Sequence, residues 1–286
     1  MEKTRCFFIQ NLVVLSLFSI VCNFVQAETT ECTAITSLPY TITTQGIYCL
    51  TSDLSTGMTS GSAITIATNN VVIDLNGHKL GGLAAGPGTY ARGILAYQRK
   101  NITIRNGTVR GFVVGIALWD DSPFTTSQGH LVEGIRADLN TYYGIYVEGQ
   151  GNVIQNNQVV STGGTQTGAT DAYGIAVTGP GVRVLNNDVI ETKEQSTGSS
   201  YGIFLSNASG AVVENNRVGS SSIGPGTQFG ILVTGSSLDA LVSNNRVTGM
   251  SNGVYYAPGS VGKYRDNLTS GVTYPFTGGT DAGNNS

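Results

Sequence analysis

Four carboxylates and four aromatic residues are the groups in this chain whose types and spacing could do chemistry together: Asp120, Asp121, Glu148 and Asp171, with Trp119, Tyr146, Phe204 and Tyr255. Two carboxylates held about 5 to 10 Å apart can cleave a glycosidic bond, one as acid and the other as base or nucleophile. Aromatic rings spaced along one face can stack on sugar rings. Each set also has a plainer reading. Acids at loop starts form turns, and an apolar row can lie beneath loops. His78 and His130 are the only histidines. His78 follows Asn76-Gly77 and reads as a corner residue, and two distant histidines without free cysteines make no transition-metal site. No cofactor is evident, and calcium bound through aspartate and backbone oxygens stays open.

These groups need elements to position them, and the elements are repeats. One pattern is a variable residue, then Gly and three apolar-biased residues, as in Tyr143-Gly144-Ile145-Tyr146-Val147, Tyr173-Gly174-Ile175-Ala176-Val177 and Tyr201-Gly202-Ile203-Phe204-Leu205. It runs from Gly93 to Gly253 at intervals of 22 to 30 residues. The second pattern is a short alternating strand that ends in an Asn pair and one more aliphatic residue, as in Val153-Ile154-Gln155-Asn156-Asn157-Gln158-Val159 and Val212-Val213-Glu214-Asn215-Asn216-Arg217-Val218. Strands this short form no stable sheet alone. If each repeat makes one turn of a coil, every strand pairs with its copies in the coils on either side, and alternation sends Ile145 and Val147 inward and Tyr146 and Glu148 outward. The spacing predicts an amide ladder through Asn156, Asn186, Asn215 and Asn244, and an aromatic ladder through Tyr143, Tyr173, Tyr201 and Phe229. The outward row of the Gly-Ile strands reads Leu95, Ala117, Tyr146, Ala176, Phe204, Leu232 and Tyr255.

Residues 63–268 resemble the right-handed parallel β-helix repeat proteins of the pectin-lyase-like superfamily, especially small secreted bacterial members with NosD-like repeats, through these Gly-Ile and Asn-Asn patterns. The resemblance implies an all-β solenoid and a polysaccharide or cell-surface glycan as partner, bound or processed by a lyase, hydrolase or epimerase. The alternative is a non-catalytic envelope protein whose solenoid is a spacer or adhesive face. The sequence departs from the enzymes' motifs. Gln128-Gly129-His130 is a poor echo of the Gly-His-Gly of pectin-type hydrolases, no Asp-Pro-His of alginate epimerases is present, and the outward charges do not cluster as in calcium-dependent lyases. The scarcity of metal ligands also disfavours a copper-assembly role like that of NosD itself.

The remaining segments fit around the solenoid. Residues 1–27 read as a cleaved secretory signal, with Lys3 and Arg5 before an apolar run and small residues at Val25 and Ala27, against the alternative of a membrane anchor. Removing it leaves Cys32 and Cys49 as the only cysteine pair. A disulfide between them, in a secreted or periplasmic protein, would contribute about 3 kcal/mol by loop entropy; two buried thiols are the alternative. Residues 28–62 are expected as an irregular N-terminal cap, and residues 269–286 as a tail that folds over the last coil or frays. Inserts near 161–172, 191–200 and 219–228 share one corner and should form a polar wall, while Trp119 to Gln128 lies at another. Charged residues are 12% of the chain, and the formal net charge of −3 leaves no basic footprint for nucleic acid or a membrane surface.

Overall fold

The computed structural model describes residues 31–166, 171–222 and 224–286. The expected leader at 1–27 lies outside the described residues. From Cys32 onward the chain is a right-handed parallel β-helix in which every paired strand is parallel. One coil, such as Val153–Gln155, Gln158–Val160 and Ala172–Thr178, gives one strand to each of three stacks. The next coil repeats it in register, with Ile154 beside Val184, Val159 beside Val189 and Ile175 beside Ile203. Because each strand finds its backbone partners in the neighbouring coils, strands of three residues suffice.

The core is a column of Ile, Val and Leu from all three stacks, including the fully buried Ile145, Val147, Ile154 and Val159. Its shape explains the repeated glycine. A Cβ on Gly202 would lie 2.2 Å from Val218 Cγ1 and 2.8 Å from the carbonyl oxygen of Gly230. Valine on the facing stack fills that space, so the position before each inward isoleucine has no room for a side chain.

The asparagine pair divides its work differently from the expectation. Asn156, Asn186, Asn215 and Asn244 do occupy equivalent corners, but all have φ between 55° and 58° and their side chains are exposed. The amide ladder runs instead through the second member of each pair. Asn157 Nδ2 donates to Asn187 Oδ1 at 3.0 Å, and Asn187, Asn216, Asn245 and Asn267 continue the chain to Asn285. Each Nδ2 also donates to a strand carbonyl of the preceding coil, as from Asn187 to Ile154 at 2.9 Å. The cause is the bend itself. The left-handed residue turns its side chain out to solvent, and the next residue returns inward beneath the corner, where unpaired amides and carbonyls need partners.

The solenoid extends beyond 63–268 at both ends. Thr33–Ile35 and Tyr40–Ile42 already pair with Gly46–Leu50 and Ser62–Ile66. The segment 269–286 neither folds over the last coil nor frays. Tyr274–Thr277 pairs with Asn252–Tyr256, Thr280–Asp281 pairs with the strand at Lys263, and Phe276 stacks on Tyr264 at 5.0 Å. With Asn285 completing the amide ladder, the tail has the partners it needs to form one more coil. Cys32 and Cys49 are joined in a disulfide with Cα atoms 5.8 Å apart. No helix among the described residues is long and apolar enough to cross a membrane.

Candidate functional site

The predicted outward row exists: Leu95, Ala117, Tyr146, Ala176, Phe204, Leu232 and Tyr255 lie side by side on the Gly-Ile sheet. Three residues before it on the same face runs the aromatic ladder. Centroids of Tyr143, Tyr173, Tyr201 and Phe229 follow at 4.5, 4.6 and 5.4 Å, with adjacent planes within 16° of parallel. These rings spend their faces on one another and offer mainly edges to a ligand. Only a ring turned across the ladder has a face to give. Phe204 stands at 86° to Tyr173 and 72° to Tyr201, and Tyr255 at 78° to Phe229. Trp119 is at 65° to Tyr146, whereas Tyr146 itself stacks on Tyr143 at 4.6 Å and 13°. The four candidate aromatics thus divide into three crosswise rings and one member of the stack.

Two borders flank this face. At the strand starts, the inserts hold one another by side chain to backbone bonds: Asp171 accepts from Ser199 N at 2.7 Å, Glu191 from Ser221 N at 2.5 Å and Glu194 from Gly226 N at 3.0 Å. Residues 167–170 and 223 of these inserts lie outside the described residues. At the strand ends stands the loop after Trp119. Since 269–286 is spent on a further coil, it does not cover the face.

Three of the four candidate acids meet at the second border. Glu148 accepts the Asp120 N–H at 2.9 Å through one oxygen and the Tyr146 hydroxyl at 2.5 Å through the other. Burial raises its pKa. The two hydrogen bonds pull the value back, and the charges of Asp120 and Asp121 push it further up. Asp120 is buried, and its oxygens accept the N–H groups of Asp121, Thr126 and Ser127 at 2.9 to 3.0 Å, which ties the loop to itself. Asp121 is exposed and accepts from the Tyr97 hydroxyl and from Gln98 Nε2. That bond to Asp121 is the main reason the Tyr97 phenol titrates above its usual range. Asp171 stands at the opposite border, a full strand away, roughly 20 Å at about 3.3 Å per residue.

Residues not singled out from sequence complete the site. Arg92 carries its guanidinium over the Trp119 ring, with Cζ 4.5 Å from the centroid. Its register with Val114 and, one coil further, Tyr143 was a signal legible in the repeat. His130 is 1% exposed. Its Nδ1 accepts the Ile102 N–H at 3.2 Å, so Nε2 carries the proton and meets Ser127 Oγ at 2.7 Å. Burial pushes its pKa down to about 4. The ring is a neutral structural group.

A family profile described as periplasmic copper-binding protein (NosD) matches residues 23–285. Among the described residues, the histidine and cysteine donors do not fit copper. Both ring nitrogens of His130 are engaged, His78 lies on the surface 3.6 Å from Asp53, and Cys32 and Cys49 are oxidised together. No group of three His, Cys, Asp or Glu side chains suited to a metal occurs among the described residues. Among solved structures, the chain is similar to the enzymatically active domain of tailspike protein 2 of bacteriophage CBA120, at 14% identity and TM-score 0.61, covering 84% of this chain and 38% of that one. It is similar to full-length tailspike protein 2 of the Escherichia coli O157:H7 bacteriophage CAB120 at 13% identity and TM-score 0.59, covering 90% and 37%. The Dettilon tailspike protein gives 18% identity and TM-score 0.50, covering 83% and 43%. At these identities the likeness is one of fold, and this chain spans less than half the length of each tailspike. No curated protein matches the chain. The profile match runs through nearly all of the solenoid and through both repeat patterns, and the chain therefore belongs to the NosD family.

Proposed function

We propose that the outer face of the Gly-Ile sheet binds a polysaccharide laid along the solenoid axis, in an oxidising compartment outside the cytoplasm. The observation that carries this reading is the pair Phe204 and Tyr255, two rings turned across the aromatic ladder on one row and separated by Leu232. Two strand spacings put them on the order of 10 Å apart, comparable with the length of a disaccharide. Neighbouring rings brace both of them, so stacking a sugar costs little side-chain entropy. The disulfide supports the compartment.

The acids support binding more than cleavage. Asp120 is saturated by loop amides, Glu148 holds a backbone amide and a phenol, and Asp171 is on the far border. A glycosidase needs two carboxyl groups free to exchange protons on either side of one bond.

The test is a panel of neutral and uronate glycans, with binding followed by affinity electrophoresis, unsaturated products by absorbance and new reducing ends by chemical assay. At least one glycan class should be retarded and none cut, and Phe204→Ala with Tyr255→Ala should abolish retardation while the circular dichroism spectrum is unchanged. If every glycan is left both unbound and uncut, the reading is abandoned. New reducing ends that disappear in Glu148→Gln would replace it with catalysis at the acid cluster.

A further inference from the structure

Arg92 sits one residue before Gly93, at the position that Tyr143, Tyr173 and Tyr201 fill in later coils. Its guanidinium lies on Trp119, a ring at the second border. No ion pair or hydrogen bond joins it to another described residue, and its Nε is buried without an acceptor. Arg92 shares this with Arg99, whose Nε is also buried without an acceptor, whereas three other arginines of the solenoid are paired. Arg105 pairs with Asp74 at 2.9 Å, Arg110 with Asp138 at 3.3 Å and Arg217 with Asp188 at 2.5 Å. The indole Nε1 of Trp119 is likewise buried and unpaired. The nearby acids are committed elsewhere: Asp120 to its loop, Asp121 to Tyr97 and Gln98, and Glu148 to Tyr146 and the Asp120 amide.

We infer that Arg92, held on Trp119, is an anion subsite of the glycan platform and receives the carboxylate of a uronic acid residue. The inference rests on the proposed function and narrows its substrate class to acidic glycans. A half-buried guanidinium has lost part of its hydration, and burial weakens its hold on its own proton. An incoming anion restores what was lost. With Nε covered, the two terminal Nη groups are the part of the planar fork left for the ligand, and that end matches the two coplanar oxygens of a carboxylate. The ring beneath strengthens the arrangement, because a cation on an aromatic face keeps its charge available at its rim.

The experiment titrates the full chain with an oligogalacturonate, with the same oligosaccharide after reduction of its carboxyl groups, and with a sulfated dextran fragment of similar length. The wild type should prefer the oligogalacturonate to its reduced form by about tenfold or more at low salt, the size of one charge-assisted hydrogen bond. The preference should shrink as salt rises. In Arg92→Gln the ratio should collapse to about one, and Arg92→Lys, which keeps the charge but not the fork, should retain part of it. An equal affinity of the wild type for the acidic and reduced forms, or an unchanged ratio in Arg92→Gln, overturns the subsite while leaving the platform in place. Tighter binding of the sulfated fragment than of the oligogalacturonate overturns the carboxylate assignment. If none of the three binds, the failure lies with the platform reading beneath it.

Discussion

The column of asparagines from Asn157 to Asn285 and the column of rings from Tyr143 to Phe229 are built alike, with one equivalent side chain per coil. They end in opposite states. Along the asparagine column each amide both donates and accepts, so within the stack nothing polar is left for solvent. Along the ring column stacking satisfies the faces of the ladder only, and the crosswise rings Phe204 and Tyr255 remain half-exposed beside it. Repetition therefore serves two ends. A directional group that matches its own copy seals the interior. A group with no direction to satisfy can line a surface and still hold a ligand.

Breaking the sealed column should have the largest effect. Asn216 donates to Val184 O, Glu214 O and Asn245 Oδ1, and its own Oδ1 accepts the Asn187 N–H. Asn216→Ala leaves several of these buried groups orphaned at about 1 to 3 kcal/mol each, so a loss of about 3 kcal/mol or more is expected in chemical denaturation. A loss below about 1 kcal/mol would remove the distinction between the columns.

His130 tests the same sealed interior with protons. Its pKa is about 4 when folded against 6.5 for the free group, so the unfolded chain binds more protons between those values. Stability should accordingly fall as pH drops from about 6.5 to 4 and level off below, by up to about 3 kcal/mol from this residue. Denaturation curves across that window should show the decline, and His130→Gln should flatten it.

Gly202→Ala would press a methyl group against Val218, at a cost of about 1 to 3 kcal/mol. Val218→Ala in the same chain should recover part of the loss in thermal or chemical denaturation. If it recovers nothing, the glycine answers to the Gly230 carbonyl and not to the valine.

The display column should be the least sensitive in stability. Phe204→Ala is expected to change unfolding free energy by less than about 1 kcal/mol and to weaken glycan binding by about fivefold, a stacking contribution near 1 kcal/mol. The reverse pattern, a large loss of stability with binding intact, would show that this ring braces the fold and does not recognise the ligand.

Much of this was legible in the chain because a repeat states its own contacts. Once Gly144, Gly174 and Gly202 are recognised as equivalent, the neighbours of Tyr146, Phe204 and Tyr255 follow without coordinates, as do the aromatic ladder, the common corner of the inserts and the position of Trp119 at the other corner. Three things did not follow. Spacing shows that an asparagine pair sits at a bend, but which member turns inward depends on which one takes the left-handed conformation, and here it is the first. The segment 269–286 carries too few repeat residues to be read as a coil, yet Phe276 and Asn285 find partners once the preceding coil exists. The roles of the acids are decided by contacts that no periodicity encodes. Asp120, Asp121 and Glu148 come together because an irregular loop folds onto the end of one strand, and Asp171 is parted from them by the length of another. Local pattern along the chain thus settles what stacks on what, since stacking repeats in every coil. Which side chains are spent and which stay available depends on the single, non-repeating loops that close over the sheet, and only the tertiary structure contains those.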